Sequence, residues 1–331
     1  MNNFAFHLCN YLKTPFWIFL AFSLISAGVI QKNVNFQSKA SSSMNQDNNQ
    51  VLILNSENVP NQLPRNFRMC QNGWNLRSLF SFSSRIGLEE LKASGSAQFS
   101  ANGFAEILKH IPSKNIVIID LRQESHGFAN GIAISWYGPH NAANANKTLF
   151  EIECDERHRL DELVVQKNIV INQILAKPED IIEKVSPLTI VVEKAYTEQK
   201  LVQDLGFRYI RMPVVDHLPP TKERVEQFVN FVKALSPNSW LHFHCAAGKG
   251  RTTTFMAMYD MMHNADKVSF EAIIKRQHLI GGKNLAELPD KSKWRYPHAV
   301  RRKNFLKAFY EKCRNDLIGN LNISQSGALS K

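Results

Sequence analysis

The stretch HFHCAAGKGRTTTF, residues 242–255, holds one cysteine and one arginine at a spacing that suits phosphate chemistry. Cys245 ends an apolar, histidine-containing run, and Arg251 stands six positions later, after two glycines. A planar guanidinium can bind two oxygens of a phosphate, while a thiolate is a strong nucleophile. The pair is therefore a candidate nucleophile and a candidate phosphate clamp.

The residues around Cys245 predict a strand, a loop and a helix, an arrangement that binds anions. The run before Cys245 is typical of a buried strand, and a helix is predicted from Arg251 to about residue 263. The first N–H groups of such a helix point into the loop, whose two glycines allow it to curl around one point. This environment favours the thiolate. The residues predicted to surround the phosphate are His244, Ala246, Ala247, Gly248, Lys249 and Gly250.

A separate loop offers the proton that the leaving oxygen needs. In RMPVVDHLPP, Asp216 follows a predicted strand and precedes two prolines, so its loop is expected to be rigid. We predict that Asp216 is the general acid and then the base for the hydrolytic water, with a plain turn residue as the alternative. Thr252 is predicted to donate a hydrogen bond to the sulfur, with an ordinary first-turn residue as the alternative.

Two other chemistries fit this stretch less well. His242 and His244 lie on one strand face and, with Cys245, could bind a metal, but no further ligand cluster is evident. A nucleotide-binding P-loop would have Ser or Thr after Lys249, where Gly250 stands. No metal and no cofactor are therefore predicted. An inert buried cysteine is the remaining alternative.

Apolar runs and helical patterns alternate from residue 115 onward, which predicts an α/β domain with a largely parallel central sheet flanked by helices. Strands are predicted at residues 115–121, 188–193, 208–215 and 239–245, and helices at 197–206, 221–235 and 251–263. Thr221 is the predicted cap of the second helix. Residues 126–187 break the alternation, because they are rich in Gly and Asn and then offer short strand-like pieces. We predict a small inserted, mostly β subdomain there.

The amino terminus predicts export. PFWIFLAFSLISAGVI is an apolar run behind one lysine and ends in small residues, as in a secretory signal, with an uncleaved membrane anchor as the alternative. We expect a periplasmic or secreted protein, or one anchored facing outside, in which Cys70, Cys154 and Cys313 could pair in some combination. The predicted division is 1–35 signal or anchor, 36–51 polar linker, 52–315 catalytic domain with the insert at about 126–187, and 316–331 polar tail.

The charge balance favours an anionic partner. The chain has 40 Lys and Arg against 29 Asp and Glu, a formal charge of +11, which suits phosphate esters, nucleic acid or an acidic membrane face. No basic stripe with aromatics, zinc-finger spacing or RNA-binding signature is present, so nucleic acid is not a predicted partner. A diffusely basic surface is the alternative. The sequence does not indicate an oligomeric state.

Together, the motifs resemble those of the tyrosine-phosphatase-like phytases, bacterial cysteine phosphatases that act on inositol polyphosphates. The resemblance is carried by SGSAQFS, DLRQESHGFANG, VVDHLPPT and HCAAGKGRTTTF, and covers residues 66–310 or so. It implies a tyrosine-phosphatase core beside a small partial β-barrel, and turnover through a phosphocysteine intermediate. It also implies four candidates for contacts to further phosphates, each with a salt-bridged or solvated side chain as the alternative: Arg68, Arg122, His126 and His217.

Two loop residues depart from that family's pattern. Ala246 stands where such phytases tend to have an acidic residue, and Lys249 between two glycines resembles inositol-lipid phosphatases. Lys249 would add positive charge for a second phosphate. The sequence therefore predicts an exported inositol-polyphosphate phosphatase. The alternatives are a phosphotyrosine or inositol-lipid phosphatase and a catalytically idle phosphoinositide-binding module.

Overall fold

The computed structural model describes residues 50–71 and 83–328, so the predicted export segment and most of the linker lie outside the described residues. The strands of this part are β1 Val51–Ser56, β2 Arg68–Met69, β3 Ala93–Ala97, β4 Ile116–Arg122, β5 His126–Ala129, β6 Ile132–Tyr137, β7 Asn168–Ala176, β8 Lys184–Val191, β9 Ala195–Tyr196, β10 Arg208–Val214 and β11 Trp240–Cys245. Its helices are α1 Ala101–His110, α2 Leu149–Gln166, α3 Glu198–Asp204, α4 Lys222–Lys233, α5 Gly250–Asn264, α6 Phe270–Leu279 and α7 Tyr296–Ala328.

The sheet that carries Cys245 has the strand order β10, β4, β11, β3, β2. The first four strands are mutually parallel, and β2 runs antiparallel to β3. Every side chain of β4 and β11 is buried, as expected for central strands of a sheet covered on both faces. The predicted largely parallel α/β core is confirmed. Because β11 lies between β4 and β3, its carboxyl end brings Cys245 to the middle of the sheet edge.

Alternating side chains of β4 enter two cores on opposite faces of this sheet. Val117 and Ile119 pack with apolar residues of α4, α5, α6 and α7, whereas Ile116 and Ile118 pack with residues of α1 and α3. Helix α5 is buried on nearly all sides, the pattern of a helix that runs through a core. The predicted cap of α4 is present, since the Thr221 side chain accepts a hydrogen bond from the backbone N–H of Arg224.

A second sheet has the order β8, β7, β1, β6, β5, β9. It differs from the predicted insert at 126–187, because β1 comes from before that segment and β9 from after it. Part of the insert predicted to hold short strand-like pieces is helical, since Leu149–Gln166 form the helix α2, whereas Asn168–Ala176 form the strand β7. Thr148 and Glu151 form a reciprocal capping box at its start, which stabilises the helix over the alternative strands.

Two other sequence expectations are corrected. The strand predicted as buried at 188–193 is part of β8, an edge strand whose side chains are alternately exposed, because only one of its faces packs on the protein. The boundary predicted at residue 315 lies inside α7, which continues to Ala328. Within residues 50–71 and 83–328, no helix is long and apolar enough to span a membrane.

The cysteines of the described residues do not form the pairing that the sequence left open. Cys70, Cys154, Cys245 and Cys313 are all free thiols. They lie on separate elements, with Cys154 on α2 and Cys313 on α7. The described part of the fold is therefore held by its apolar cores and polar contacts rather than by a disulfide among these residues.

Candidate active site

The loop between β11 and α5 has the geometry that the sequence predicts around Cys245. The Cys245 side chain is buried at the end of β11, and Thr252 Oγ1 donates to Cys245 Sγ at 3.2 Å. Gly248 has a φ of +67°, and a Cβ there would come within 2.3 Å of the backbone of β3. Only glycine fits this position, because both the backbone angle and the close approach exclude a side chain.

Arg68 holds the outside of this loop. Its Nη1 donates to the carbonyl oxygen of Gly248 at 2.8 Å, and its Nη2 donates to Thr253 Oγ1 at 3.1 Å. Burial lowers the pKa of Arg68 to about 10. Asn66 adds a second tie, with Nδ2 donating to the carbonyl oxygen of Ala247 at 2.8 Å. Arg68 Nη1 and Nη2 are thus engaged with the loop, and a contact from Arg68 to further phosphates stays a prediction.

The guanidinium of Arg251 is fixed by a carboxylate that the sequence analysis missed. Arg251 Nη1 and Nη2 lie 2.7 and 3.0 Å from the two oxygens of Glu124, a bidentate pair in which both side chains are buried. Burial alone would raise the pKa of Glu124, but Arg251 and then Arg122 hold it well below its usual value. Arg251 Nε has no hydrogen-bond partner among the described residues, so it can bind a phosphate oxygen.

Asp216 lies on the loop after β10, next to this clamp. Its Oδ2 is 3.2 Å from Arg251 Nη2 and accepts a hydrogen bond from Asn141 Nδ2 at 3.1 Å. Its Oδ1 accepts from the backbone N–H of His217 at 3.0 Å, and its side chain is 23% exposed. A carboxyl group is thus held at the rim of the site, within reach of both the phosphate clamp and solvent.

The side chain of His217 pairs with an acid instead of facing the loop. His217 Nε2 lies 3.0 Å from Asp180 Oδ2, which also accepts from Arg295 Nε at 2.7 Å. Its backbone has a φ of 66°, which is unusual for a residue other than glycine. His217 therefore fits the salt-bridged alternative, and its role is to shape the acid loop around Asp216.

Two histidines predicted to contact substrate, His126 and His244, each lie beside buried carboxylates. His126 Nε2 lies 3.3 Å from Asp120 Oδ2, and its Nδ1 lies 3.6 Å from Glu156 Oε2. Burial alone would lower the pKa of His126, but Asp120 and Glu156 raise it to about 9. His244 Nε2 lies 2.7 Å from Glu198 Oε1, behind the loop rather than inside it. The contacts of both side chains to a substrate stay predictions.

Arg122 lines a cavity and shares part of its guanidinium with protein partners, whereas its Nη2 has no hydrogen-bond partner among the described residues. Its Nε donates to Glu124 Oε1 at 2.8 Å, and its Nη1 donates to Gln98 Oε1 at 2.6 Å and to Asn55 Oδ1 at 2.9 Å. The cavity has a volume of about 610 Å³ and reaches the loop at Ala246 and Ala247. Lys249 is exposed at the start of α5, and its contact to a second phosphate stays a prediction.

Two cations near the loop were missed by the sequence analysis. Arg302 on α7 is only 6% exposed, and a Cβ on Gly250 would lie 3.4 Å from its Nη1. Lys283 follows α6, and its backbone N–H donates to Thr253 Oγ1 at 3.0 Å. Burial, followed by the charges of Arg302 and Arg295, lowers the pKa of Lys283. Arg302 Nη1 donates to the carbonyl oxygen of His217 at 3.5 Å, and in the described ranges neither Lys283 nor Arg302 has a carboxylate within 4.0 Å, so this pair of cations is suited to an anion from solution.

The metal alternative does not fit the positions of the histidines. His242 Nδ1 and Nε2 are 2.9 and 3.1 Å from the hydroxyl oxygens of Ser94 and Ser96, so neither nitrogen is free for a shared ion with Cys245. Burial lowers the pKa of His242 to about 3. Asp120, His126 and Glu198 lie close enough to share a cation. The guanidinium of Arg211 already compensates this group, with Nε 3.2 Å from Asp120 Oδ2.

In this protein a largely parallel sheet ends in a cysteine, a loop with two glycines follows, and the arginine of the loop lies on the next helix. This arrangement defines a member of the protein tyrosine phosphatase superfamily. Comparison with known proteins identifies the family within this superfamily. The model of the tyrosine-phosphatase-like phytase family, described by the words inositol hexakisphosphate, matches residues 119–263. The chain belongs to the tyrosine-phosphatase-like phytase family.

Two solved structures and one curated relative are similar to this chain. A tandemly repeated phytase of this kind from Mitsuokella multacida is 34% identical with a TM-score of 0.73, over 81% of this chain and 47% of that one. A phytase of this kind from Bdellovibrio bacteriovorus is 33% identical with a TM-score of 0.60, over 80% and 89%. The effector protein hopD2 of Pseudomonas syringae pv. tomato is 31% identical, over 72% of this chain and 52% of its own length. The chain thus spans about half the length of hopD2 and of the Mitsuokella protein.

Proposed function

We propose that the protein hydrolyses phosphate monoesters of inositol polyphosphates through a phosphocysteine intermediate. The observation that carries this substrate class is the pair Lys283 and Arg302, a half-buried and a buried cation beside the loop that have no carboxylate partner within the described ranges. A monoester would occupy only the loop and Arg251, so a second cationic site is useful to a substrate with further phosphates. The Mitsuokella relative, named a myo-inositol phosphatase, was solved in complex with myo-inositol-(1,3,4,5)-tetrakisphosphate.

The geometry supports a two-step displacement. The sulfur of Cys245 attacks phosphorus while Arg251, oriented by Glu124, binds a phosphate oxygen through its Nε. Asp216 donates its proton to the departing inositol oxygen. In the second step Asp216 accepts a proton from a water molecule that attacks phosphorus, and the sulfur leaves with the hydrogen bond from Thr252 stabilising its charge. The products are inorganic phosphate and an inositol with one phosphate fewer.

A second candidate substrate class is favoured by one wall of the cavity. Leu63, Pro64, Ile174 and Leu175 line it together with the loop, which gives the cavity an apolar side. An apolar wall suits the ring of a phosphotyrosine or the glycerol-proximal part of an inositol lipid. Comparable kcat/KM values for such substrates and for inositol hexakisphosphate would favour this candidate.

We expect Arg302→Gln to lower kcat/KM for inositol hexakisphosphate by about tenfold or more, because hydrogen bonds to a charged group contribute about 1.5 to 3 kcal/mol. An aryl monophosphate should lose little, since it presents no second phosphate. Steady-state kinetics on both substrates measure the difference. Arg301→Gln is the matched control, since Arg301 is the exposed neighbour on the same helix. Equal losses on both substrates in Arg302→Gln would count against a second phosphate site.

We also propose that the protein is exported. The support is the apolar run that ends in small residues within positions 1–35. Fusion of this segment to a reporter enzyme that is active only outside the cytoplasm tests the proposal. An inactive but stable fusion would contradict it.

A further inference from the structure

A continuous polar network joins the two ends of the Cys245–Arg251 loop behind the site. In order, it consists of His244, Glu198, Gln98, Arg122, Glu124 and Arg251. Glu198 Oε1 lies 2.7 Å from His244 Nε2. Glu198 Oε2 accepts a hydrogen bond from Gln98 Nε2 at 2.7 Å. Gln98 Oε1 then accepts from Arg122 at 2.6 Å, and Arg122 donates to Glu124 at 2.8 Å. Glu124 binds the clamp arginine directly.

All six side chains of this polar network are at most 2% exposed. Charges that are removed from water interact strongly, and a buried charge that loses its partner is costly. Burial alone would raise the pKa of Glu198, but His244 above all lowers it to about 2, so the carboxylate is charged. The polar network is therefore a set of mutually dependent charged groups rather than a collection of surface pairs.

Glu198 has no role in the proposed chemistry. It is the first residue of α3, a helix distant in sequence from the loop, and its Oε1 lies 2.7 Å from His244 Nε2. The next carboxylate near His244 Nε2 is Asp120, at 3.9 Å. Neither ring nitrogen of His244 nor Glu198 Oε1 has a hydrogen bond among the described residues, so Glu198 acts on His244 through the close approach of its charge at 2.7 Å. Among polar groups Glu198 is the nearest contact of the residue that precedes the nucleophile, and the ring of that residue also packs 5.0 Å from the ring of Phe99.

We propose that Glu198 is a positioning residue of the phosphate site. It fixes His244 at the start of the loop and, through Gln98 and Arg122, the Glu124–Arg251 pair at its end. Because the loop must fit the five-coordinate transition state more closely than the ground state, the loss of this support should affect turnover more than binding. The inference rests on the proposed function only in that Cys245 and Arg251 act on a phosphate.

Glu198→Gln preserves the shape of the side chain and removes its charge. We expect kcat on an aryl phosphate to fall about tenfold to a hundredfold with KM within about twofold, because small displacements of reacting groups have effects of this size. Orthovanadate mimics five-coordinate phosphorus, so its inhibition constant should rise by a similar factor. The inhibition constant of inorganic phosphate should stay within about twofold. A role in folding alone would reduce the amount of active enzyme and leave both inhibition constants unchanged.

Glu156→Gln is the matched control. Glu156 is a buried carboxylate that pairs with Arg211 at 3.0 Å and is not part of the polar network, so its loss should leave both inhibition constants at the wild-type values. Gln98→Met cuts the same polar network without removing a charge and should repeat the separation of vanadate from phosphate, which keeps the test valid where Glu198→Gln fails to fold. Unchanged vanadate inhibition in the folded variants, or an equal change in Glu156→Gln, would overturn the proposal. The assay uses no inositol phosphate, so its outcome is independent of the substrate class.

Discussion

Replacing Cys245 by serine will abolish turnover while phosphate esters still bind. A serine hydroxyl is far less acidic than a thiol, so it supplies almost no nucleophile at neutral pH, whereas Arg251 and the loop remain in place. We expect kcat to fall by about a thousandfold or more. Calorimetric titration of the variant with inositol hexakisphosphate should give an affinity within about tenfold of the wild-type KM, on the basis that binding groups are retained.

Cys154→Ser provides the control for this variant. Cys154 is a free, partly exposed thiol on α2, and it makes no contact with the loop. Its replacement should leave kcat within about twofold, as is usual for surface positions. A Cys245→Ser enzyme that retained more than a tenth of the wild-type kcat would show that another group is the nucleophile.

Replacing Asp216 by asparagine will slow the hydrolysis of inositol phosphates by about a hundredfold to ten-thousandfold, the usual contribution of a general acid. An inositol alkoxide is a poor leaving group and needs the proton. Nitrophenolate is a good leaving group, so the loss on p-nitrophenyl phosphate should be much smaller. Asparagine is similar in size and can keep the contact with the backbone N–H of His217. The ratio of the two kcat losses is the measurement.

Asp204→Asn is the corresponding control. Asp204 ends α3 and pairs with Lys200 at the surface, where salt bridges contribute little. Its kcat should match the wild type on both substrates. If Asp216→Asn lost activity equally on the alkyl and the aryl ester, Asp216 would be supporting the Arg251 clamp rather than protonating the leaving oxygen.

The loop around Cys245 was predictable because the residues that specify it are contiguous in the sequence. A β-rich run before Cys245, glycine at 248 and a helix from position 250 specify a strand, a curled loop and a helix, and each of these is present. The contact between Thr252 and the sulfur follows from that geometry alone. The α/β alternation was equally readable, since buried parallel strands are continuously apolar.

The contacts between residues of the site that are far apart in the sequence were not predictable, because the sequence shows which side chains are charged but not which opposite charge each one meets. His126, Arg68 and His244 are basic residues in the resembling motifs, but each is turned inward by a buried carboxylate or a loop carbonyl. Glu124 and Arg302 reach Arg251 and the loop from elements far along the chain. The sequence analysis did not predict helix α2, although Thr148 and Glu151 have the spacing of a capping box.

The most direct test of the proposed function compares kcat/KM on three substrates with purified protein. They are inositol hexakisphosphate, a phosphotyrosine peptide and a short-chain inositol lipid. With Lys283 and Arg302 available for further phosphates, we expect inositol hexakisphosphate to exceed the peptide by about tenfold or more, the factor that corresponds to one charge-assisted contact. Phosphate release from the peptide or the lipid with no measurable release from inositol hexakisphosphate would contradict the account.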